Sequence, residues 1–325
     1  MTTTTDLIVP PPGDTPPPGD RPPPGGTPPP GGTPPPGAAS GGSGGLPPSE
    51  SVGRQTWQAF RRNPLGLGSA GILLLLGLVA VAAPLIADYP SGYGEQVLAG
   101  PGAGHWFGTD DLGRDVFAQV VWGTRVSIVV GLAASLLAIV IGVLVGVAAA
   151  YFRPADLVLG MIVDVSLSLP VLPLMILVAA LAGPSVPTLV VVIAVFSWPE
   201  VARVVRSQGL AVVPMPYVSA AHVIGGSHLW VIRKHVLPGV APVVAVSVVL
   251  TTSRAVLSEA GLSFLGLGDP NSWSWGTILH QAQRSGSLAT AWWTTLFPSL
   301  AILLLVVATT LLAVAYNDAR NPRTR

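Results

Sequence analysis

The sequence of 325 residues contains no cysteine, which excludes a disulfide framework, a thiolate metal site and a cysteine nucleophile. Charged residues are also scarce: they make up 10% of the chain, against roughly a quarter in ordinary soluble domains. Half of the residues are hydrophobic and the mean hydropathy is +0.62. Because such a chain has too little polar surface to face water everywhere, we expect an integral membrane protein. The net charge of +1 gives no indication of a nucleic-acid partner.

Lysine is almost absent, and this excludes one class of function. The only lysine, Lys234, stands between Arg233 and His235. A phosphate-binding loop needs the pattern G-x-x-x-x-G-K-[ST], which this position does not supply. The chain is therefore not expected to hydrolyse ATP itself.

Proline and glycine dominate the first fifty residues. From Gly13 to Pro36 a six-residue unit repeats four times, as GDTPPP, GDRPPP, GGTPPP and GGTPPP. Triple prolines favour an extended polyproline helix, and nothing in the repeat could bury an apolar face. We predict that residues 1–50 form a disordered cytoplasmic tail, either merely solvated or a ligand for a proline-recognising domain.

The rest of the chain, residues 51–325, contains six apolar segments of the length that crosses a membrane, about 20 residues. They are Leu65–Ile86, Val126–Ala150, Leu157–Ala182, Val186–Val213, Val240–Leu257 and Leu296–Ala315. This pattern predicts an all-α bundle of six transmembrane helices. Pro170 and Pro173 lie inside the third segment, and transmembrane helices tolerate such prolines when neighbours satisfy the freed carbonyls. The second half of Val186–Val213 is expected to leave the membrane.

Arginine and lysine are distributed unevenly between the two sets of loops. With the amino terminus inside, the cytoplasmic side receives Arg54, Arg61, Arg62, Arg153, Arg203, Arg206, Arg233, Lys234, Arg320, Arg323 and Arg325. The outside receives only Arg114, Arg125 and Arg284. By the positive-inside rule, both termini are predicted to be cytoplasmic.

The cytoplasmic loop 214–238, before the fifth segment, has the pattern of two short helices. Tyr217–Ile224 is predicted to form the first, with the small residues Ala220 and Ala221 on its surface, and Gly225-Gly226 to end it.

Ser227 can cap the second helix, which is expected to run to His235. Pro238 is expected to prevent smooth continuation into the fifth membrane helix. These features describe a rigid docking element at the membrane surface, and we call residues 214–238 the docking loop.

This loop resembles the coupling loop of ABC-importer permeases, whose pattern is Glu-Ala-Ala, three residues, Gly, nine residues and x-Leu-Pro. The residues in register are Ser219, Ala220, Ala221, Gly225, Leu237 and Pro238, with Ser219 in the place of the acid. From about Arg61 to Arg323 the chain is similar to the C-type permease subunit of dipeptide and oligopeptide importers. The segments that carry this similarity are His105–Gly131, Leu262–Gly268, Ser274–Gly276 and Phe297–Pro298. At the carboxy end, Ala313–Ala315 replaces a Gly-Asp-Gly-like turn of the family.

The resemblance implies the type I ABC importer permease fold in a bacterial inner membrane. It implies a sister permease, two ATPase domains that bind ATP and magnesium, an extracellular substrate-binding protein and surrounding lipid. No cofactor is expected in this chain. Peptides are the implied cargo, with nickel chelates, glutathione or another small solute as alternatives.

Three ionisable residues, Asp164, Arg254 and Glu259, fall within or beside apolar segments, where charge is costly. Pairing with the sister permease and lining of the translocation path are the two interpretations. Arg254 and Glu259 are five apart and are expected to find partners on other helices.

Further groups favour structural roles. The segment Thr109–Asp115 predicts capping and Arg–Asp pairing before the second helix, in preference to calcium or substrate binding. His105 and His280, the only external histidines, are too few for a metal site. The tryptophans Trp273, Trp275, Trp292 and Trp293 are expected to anchor the outer membrane interface.

Two other classes remain possible. A six-helix secondary transporter or channel would give no reason for the docking loop, and a scaffold presenting the proline-rich tail would need only one membrane anchor.

Overall fold

The computed structural model describes residues 60–61, 63–288 and 290–320. The tail predicted for residues 1–50 lies outside them and stays a prediction. The helices are, in chain order, α1 (Pro64–Ile86), α2 (Val116–Tyr151), α3 (Arg153–Ser168), α4 (Val171–Ala182), α5 (Val186–Val212), α6 (Pro216–Val223), α7 (His228–Val231), α8 (Leu237–Leu262), α9 (Trp275–Arg284) and α10 (Trp292–Arg320). Single π-helical turns, Ile232–Val236 and Ser263–Leu267, flank α8.

Five helical stretches in the described residues are long and apolar enough to span a membrane. They are α1, α2, α5, the run His228–Leu267 that contains α8, and Trp292–Ala319 within α10. A sixth span results if α3 and α4 are counted together. The predicted all-helical membrane bundle is therefore confirmed.

The third predicted segment, Leu157–Ala182, is not one helix. It is split into α3 and α4, which are bent by 87° at the break. Pro170 explains the bend, because it has no N–H to donate and it disfavours helical conformation at the preceding residue. Leu169 is accordingly extended (φ −78°, ψ 146°). The expectation that the bundle would absorb this proline within a continuous span was wrong.

Helix α2 is the central element of the bundle. Its 36 residues correspond to about 54 Å at 1.5 Å per residue, well beyond a hydrocarbon core of about 30 Å. It begins ten residues earlier than the apolar pattern predicted, because the Asp115 carboxylate caps it by accepting a hydrogen bond of 2.7 Å from the Phe117 N–H. The loop 87–115 lies at its amino end, and the loop 213–236 contacts its carboxy end through Tyr151.

The most extensive helix packing is between α2 and α5. Gly142 and Gly146, four residues apart, allow the close approach. A Cβ atom on Gly142 would lie 2.6 Å from Val201 Cβ, and one on Gly146 would lie 2.7 Å from the Ala202 carbonyl oxygen. Small residues at this spacing are the usual means of close helix packing in membranes.

Pro238 does not interrupt the entry to the fifth membrane helix, contrary to the sequence-based expectation. The π-turn Ile232–Val236 continues directly into α8, and the Leu237 N–H donates to the Ile232 carbonyl five residues back. This wider turn places Pro238 in the first turn of α8, where a missing N–H is tolerated. The helical run that starts at His228 therefore passes Pro238 without a break and continues to Leu265, where the left-handed Gly266 (φ +86°) ends it.

Candidate functional site

The loop between α5 and α8 folds as the predicted helix–turn–helix. Helix α6 (Pro216–Val223) matches the predicted Tyr217–Ile224 within one residue. Gly225 ends it with φ +87°, a conformation that glycine adopts without strain. The Ser227 hydroxyl accepts from the Trp230 N–H at 3.4 Å, so Ser227 caps the second helix as predicted.

One face of α6 is packed against the bundle. Val218, Ala221 and Val231 form a buried cluster against Tyr151 at the end of α2. Ala221 has only 3% of its surface exposed, so the expectation that it would lie on the helix surface was wrong. Ala220 is exposed, as expected.

A hydrogen-bonded group fixes this loop to α2. The Tyr151 hydroxyl lies 2.7 Å from His222 Nε2 and 2.9 Å from His228 Nδ1. His222 Nδ1 in turn lies 3.0 Å from the Val218 carbonyl oxygen, so Nδ1 carries a proton that it donates to this carbonyl. Tyr151 therefore connects both short helices of the loop to the end of α2.

The outer face of the loop carries exposed apolar side chains that the sequence reasoning missed. Val223 and Ile224 are 87% and 78% exposed, at the tip of α6. Leu229 and Trp230 on the following helix are exposed as well. The sequence did contain a signal for this exposure, because these apolar residues lie just before and after the Gly225-Gly226 turn. At the base of the loop, Leu237 is half-buried and packs with Val236 and Val240.

Three ion pairs lie on two adjacent turns in the second half of α5. Arg206 makes a two-contact pair with Asp156, with Nε–Oδ1 at 2.5 Å and Nη2–Oδ2 at 3.1 Å. Arg203 Nη2 lies 2.6 Å from Asp164 Oδ1 on α3, and both side chains are more than half exposed.

The third pair joins Glu200 of α5 to Arg254 of α8. Glu200, Arg203 and Arg206 recur every three residues on one side of α5, and we call them with their partners the α5 ion-pair stripe. Sequence reasoning had singled out Asp164 and Arg254, and the structure brings them to adjacent turns of α5. Their role in a path stays a prediction.

Glu259, the third candidate, is not part of this stripe. It is completely buried, and each carboxyl oxygen accepts a hydrogen bond: Oε2 from Ser127 at 3.0 Å and Oε1 from Ser263 at 2.7 Å. Ser127 also accepts from the Trp275 N–H at 3.3 Å, so one carboxyl group links α2, α8 and the start of α9. Glu259 has no exposed surface among the described residues, and its path role also stays a prediction.

The segment before α2 is arranged as predicted. The Asp110 carboxylate accepts from the Leu112 and Arg114 N–H groups at 2.9 and 2.8 Å, from Arg114 Nε at 2.8 Å and from Gln119 Nε2 at 2.6 Å. Local capping and an Arg–Asp pair therefore account for the Asp110, Arg114 and Asp115 side chains of this segment. Among the described residues no group of three or more His, Asp or Glu side chains is arranged to hold a metal ion.

Two of the four tryptophans predicted to anchor the membrane interface are instead core residues. Trp275 is fully buried, and its indole N–H donates to the Val120 carbonyl at 3.2 Å. Trp293 is buried as well and donates to the Thr109 carbonyl at 3.0 Å. Their N–H groups are satisfied inside the protein, which removes the usual reason for an interfacial position.

A polar cavity of about 680 Å³ opens at this end of the bundle, between the loop 87–115 and α9. Its lining carries charges of both signs, from Asp111, Asp269 and Arg284. Burial raises the pKa of the Asp111 carboxyl above its usual value, and the neighbouring Asp110 carboxylate adds to the effect. Burial and the nearby Asp269 carboxylate likewise raise the pKa of the Tyr89 hydroxyl.

Comparison with known proteins places these features in a family. The model of the binding-protein-dependent transport system inner membrane component matches residues 138–325, which include the docking loop and the stripe. The model of the N-terminal TM domain of oligopeptide transport permease C matches residues 51–101.

Individual relatives agree with these matches. The dipeptide transport system permease protein DppC of Bacillus subtilis is 36% identical over 283 residues, covering 86% of this chain and 88% of the relative. A probable peptide ABC transporter permease protein of Sinorhizobium fredii is 40% identical over 268 residues, covering 82% and 91%. The glutathione transport system permease protein GsiD of Pectobacterium atrosepticum is 33% identical over 276 residues, covering 83% and 91%. With its multi-pass helical bundle, this chain belongs to the family of binding-protein-dependent transport system inner membrane components, the permease subunits of ABC transporters.

Proposed function

We propose that this chain, paired with a sister permease, forms the path by which an ATP-driven importer takes up short peptides. The observation that carries the proposal is the docking loop, a short helix held rigidly to the end of α2 by Tyr151 while Val223 and Ile224 stand exposed. An exposed apolar tip on a rigid base is suited to enter a groove of a partner protein. The peptide cargo is supported by the names of relatives at 36% and 40% identity.

The coupling residues follow from this geometry. Ser219 and Ala220 lie on the exposed side of α6 and would contact an ATPase domain, whereas Ala221 and Gly225 set the packing and the turn behind them. Leu237 and Pro238 join the loop to α8. Rigid-body motion of the ATPase domains, which bind ATP and magnesium, would reach the membrane helices through this attachment.

The α5 ion-pair stripe is the surface that we assign to the path. Asp164 and Arg254 are paired within the chain yet more than half exposed, so they can face an aqueous passage between the two permeases without a full desolvation cost. Glu259 would instead hold the helices around the passage together.

A second candidate cargo is glutathione, because a relative named as a glutathione permease is 33% identical over most of both chains. In the uptake experiment below, unlabelled glutathione should reduce the uptake of radiolabelled trialanine only if the complex also takes up glutathione.

The proposal is tested by tagging the chain, purifying it in mild detergent from native membranes, and identifying co-purified proteins by mass spectrometry. We expect a second permease, ATP-binding-cassette subunits and, with substrate added, a binding protein. The purified complex in proteoliposomes is expected to accumulate radiolabelled trialanine only with ATP and binding protein. Recovery of the chain alone, or uptake that is independent of ATP, would contradict the proposal and favour a secondary transporter.

Orientation can be measured directly because the chain has no cysteine. We propose that the docking loop is cytoplasmic and the loop 87–115 external. In intact cells, a membrane-impermeant maleimide is then expected to label Glu95→Cys but not Ile224→Cys, and to label both after lysis. Labelling of Ile224→Cys in intact cells would reverse the topology.

A further inference from the structure

The cavity of about 680 Å³ beside α9 has one wall made from a single helix face. Thr277, His280, Gln281 and Arg284 line it and follow the spacing of three and four residues that places side chains in a row along a helix. The opposite face of α9 carries Trp275, Ile278 and Ala282, which are buried. Packing therefore fixes α9 so that its polar face points into the cavity.

The two ends of this wall carry opposite charge. Arg284 lies in the last turn of α9, and Asp269 comes before its first residue. Asp111, from the loop 87–115, lines the same cavity. In the described part of the chain none of these three side chains forms an ion pair, although Arg114 in the same cavity is paired with Asp110. In the described residues, the fold therefore places charges of both signs in one open cavity without joining them in an ion pair.

The dimensions of the cavity define what could join these charges. From Thr277 to Arg284 the helix rises about 10 Å at 1.5 Å per residue. An extended chain covers about 3.3–3.6 Å per residue, so two or three residues span that length. The volume lies within the range of about 300–1,000 Å³ that is typical of small-ligand sites. A di- or tripeptide with free ends is therefore about as long as this wall, and it carries an ammonium at one end and a carboxylate at the other.

We propose that this cavity is a peptide subsite on the permease itself, which holds di- and tripeptides by their two charged ends. Asp269 and Asp111 bind the amino terminus and Arg284 binds the carboxylate. The Gln281 amide lines the same wall and can contact the peptide backbone, whereas the Thr277 hydroxyl is occupied in the capping box with Ser274. This inference rests on the proposed function, peptide import, and adds to it a rule of selection: the permease would recognise free termini rather than side chains.

The test uses the assembled complex in nanodiscs, without binding protein, and measures binding by calorimetry. The probes are trialanine, N-acetyl-trialanine, which keeps only the carboxylate, and trialanine amide, which keeps only the ammonium. Wild type is expected to bind trialanine at least tenfold more tightly than either blocked peptide, as loss of one charge-assisted contact predicts.

Single substitutions should then depend on which end of the peptide is blocked. Arg284→Gln is expected to weaken the binding of trialanine and N-acetyl-trialanine about tenfold and to leave the binding of trialanine amide unchanged. Asp269→Asn is expected to weaken the binding of trialanine and trialanine amide and to leave the binding of N-acetyl-trialanine unchanged. Glu95→Gln and Arg125→Gln, exposed charges outside the cavity, serve as matched controls and should change nothing.

The outcomes separate this subsite from the proposed function. If the wild-type complex transports trialanine but binds none of it without the binding protein, the subsite is overturned and the importer stands. The subsite is likewise overturned if Arg284→Gln and Asp269→Asn weaken the binding of all three probes equally, because that result indicates a folding defect. It is also overturned if these variants weaken only the association of the complex with the binding protein. If the wild-type complex transports no peptide at all, the proposed function itself fails.

Discussion

The Ser127 hydroxyl donates a hydrogen bond of 3.0 Å to the Glu259 carboxyl, and this contact joins α2 to α8 at a point with no exposed surface. Glu259 also accepts from Ser263, while Ser127 receives the first N–H of α9. One buried carboxyl group therefore links α2, the end of α8 and the start of α9, and α9 forms one wall of the polar cavity.

Replacing Glu259 tests this dependence. Glu259→Ala leaves the hydroxyls of Ser127 and Ser263 without their acceptor in a buried site, and we expect a loss of about 2 kcal/mol in stability. Glu259→Gln keeps an acceptor oxygen and should lose less. The measurement is the thermal unfolding midpoint of the purified complex, with Glu95→Ala as an exposed control. Equal midpoints for Glu259→Ala and Glu95→Ala would show that the contact is unimportant.

Neighbouring alanines in the docking loop should behave differently. Ala220→Trp adds bulk on the exposed face of α6, so we expect normal expression but loss of co-purified ATPase subunits. Ala221→Trp has no room between Val218 and Val231 and should reduce the amount of folded chain, at about 1–3 kcal/mol for overpacking. The readouts are fluorescence size exclusion for folding and ATPase recovery per folded chain. If Ala220→Trp retains the ATPase fully, the docking surface lies elsewhere.

The ion pairs on α5 should differ in strength. Arg206 and Asp156 share two contacts and are about one-third exposed, whereas Arg203 and Asp164 share one and are more than half exposed. Because solvent weakens exposed pairs, a double-mutant cycle on Arg203 and Asp164 should give at most about 0.5 kcal/mol of coupling energy. The cycle on Arg206 and Asp156 should give a larger coupling energy. The cycles compare Arg→Gln and Asp→Asn variants by thermal unfolding, and a reversed order would contradict the geometry.

Glycine positions in two helices give a further contrast. A Cβ atom on Gly146 would lie 2.7 Å from the Ala202 carbonyl, so Gly146→Ala should force α2 and α5 apart and cost about 1–3 kcal/mol. Gly77 in α1 has no atom within 4 Å of a built Cβ, so Gly77→Ala is expected to be neutral or slightly stabilising. The thermal unfolding midpoints of the two variants are compared, and equal changes in both would exclude close packing at Gly146.

A pH dependence follows from Asp111. Its pKa in the folded protein lies above the unfolded value because of burial and the Asp110 carboxylate. The folded state therefore binds the proton more tightly, and stability falls as pH rises from the unfolded pKa to the folded one. Asp111→Asn should remove this fall of stability with pH in the acidic range. At higher pH the dependence of stability on pH should be the same as in the wild type. Unfolding midpoints measured from pH 4 to pH 7 test it, and an identical slope in the variant would contradict it.

Much of this architecture could be predicted from the sequence. Apolar length and the positions of Gly225 and Ser227 were enough for the spans and the docking loop, because those signals are local. The bend at Pro170 and the continuous passage through Pro238 were not, since whether a proline breaks a helix depends on neighbouring turns. The burial of Ala221, Trp275 and Glu259 also depends on which residues other helices bring against them. The pairing of Asp164 and Arg254 with α5 had a local signal, the three-residue spacing of Glu200, Arg203 and Arg206, but its partners were distant in sequence.

The helical run from His228 to Leu265, which ends at the left-handed residue Gly266, has a mechanical consequence. At about 1.5 Å per residue it is roughly 57 Å long, with the docking loop at one end and the turn Ser263–Leu267, which lines the polar cavity, at the other. A tilt of about 10° at the first end would displace the second by roughly 10 Å, as much as the length of a tripeptide. Rigid-body motion of this helix would therefore couple the docking loop directly to the proposed peptide subsite. No chain of intermediate side chains would be needed between them.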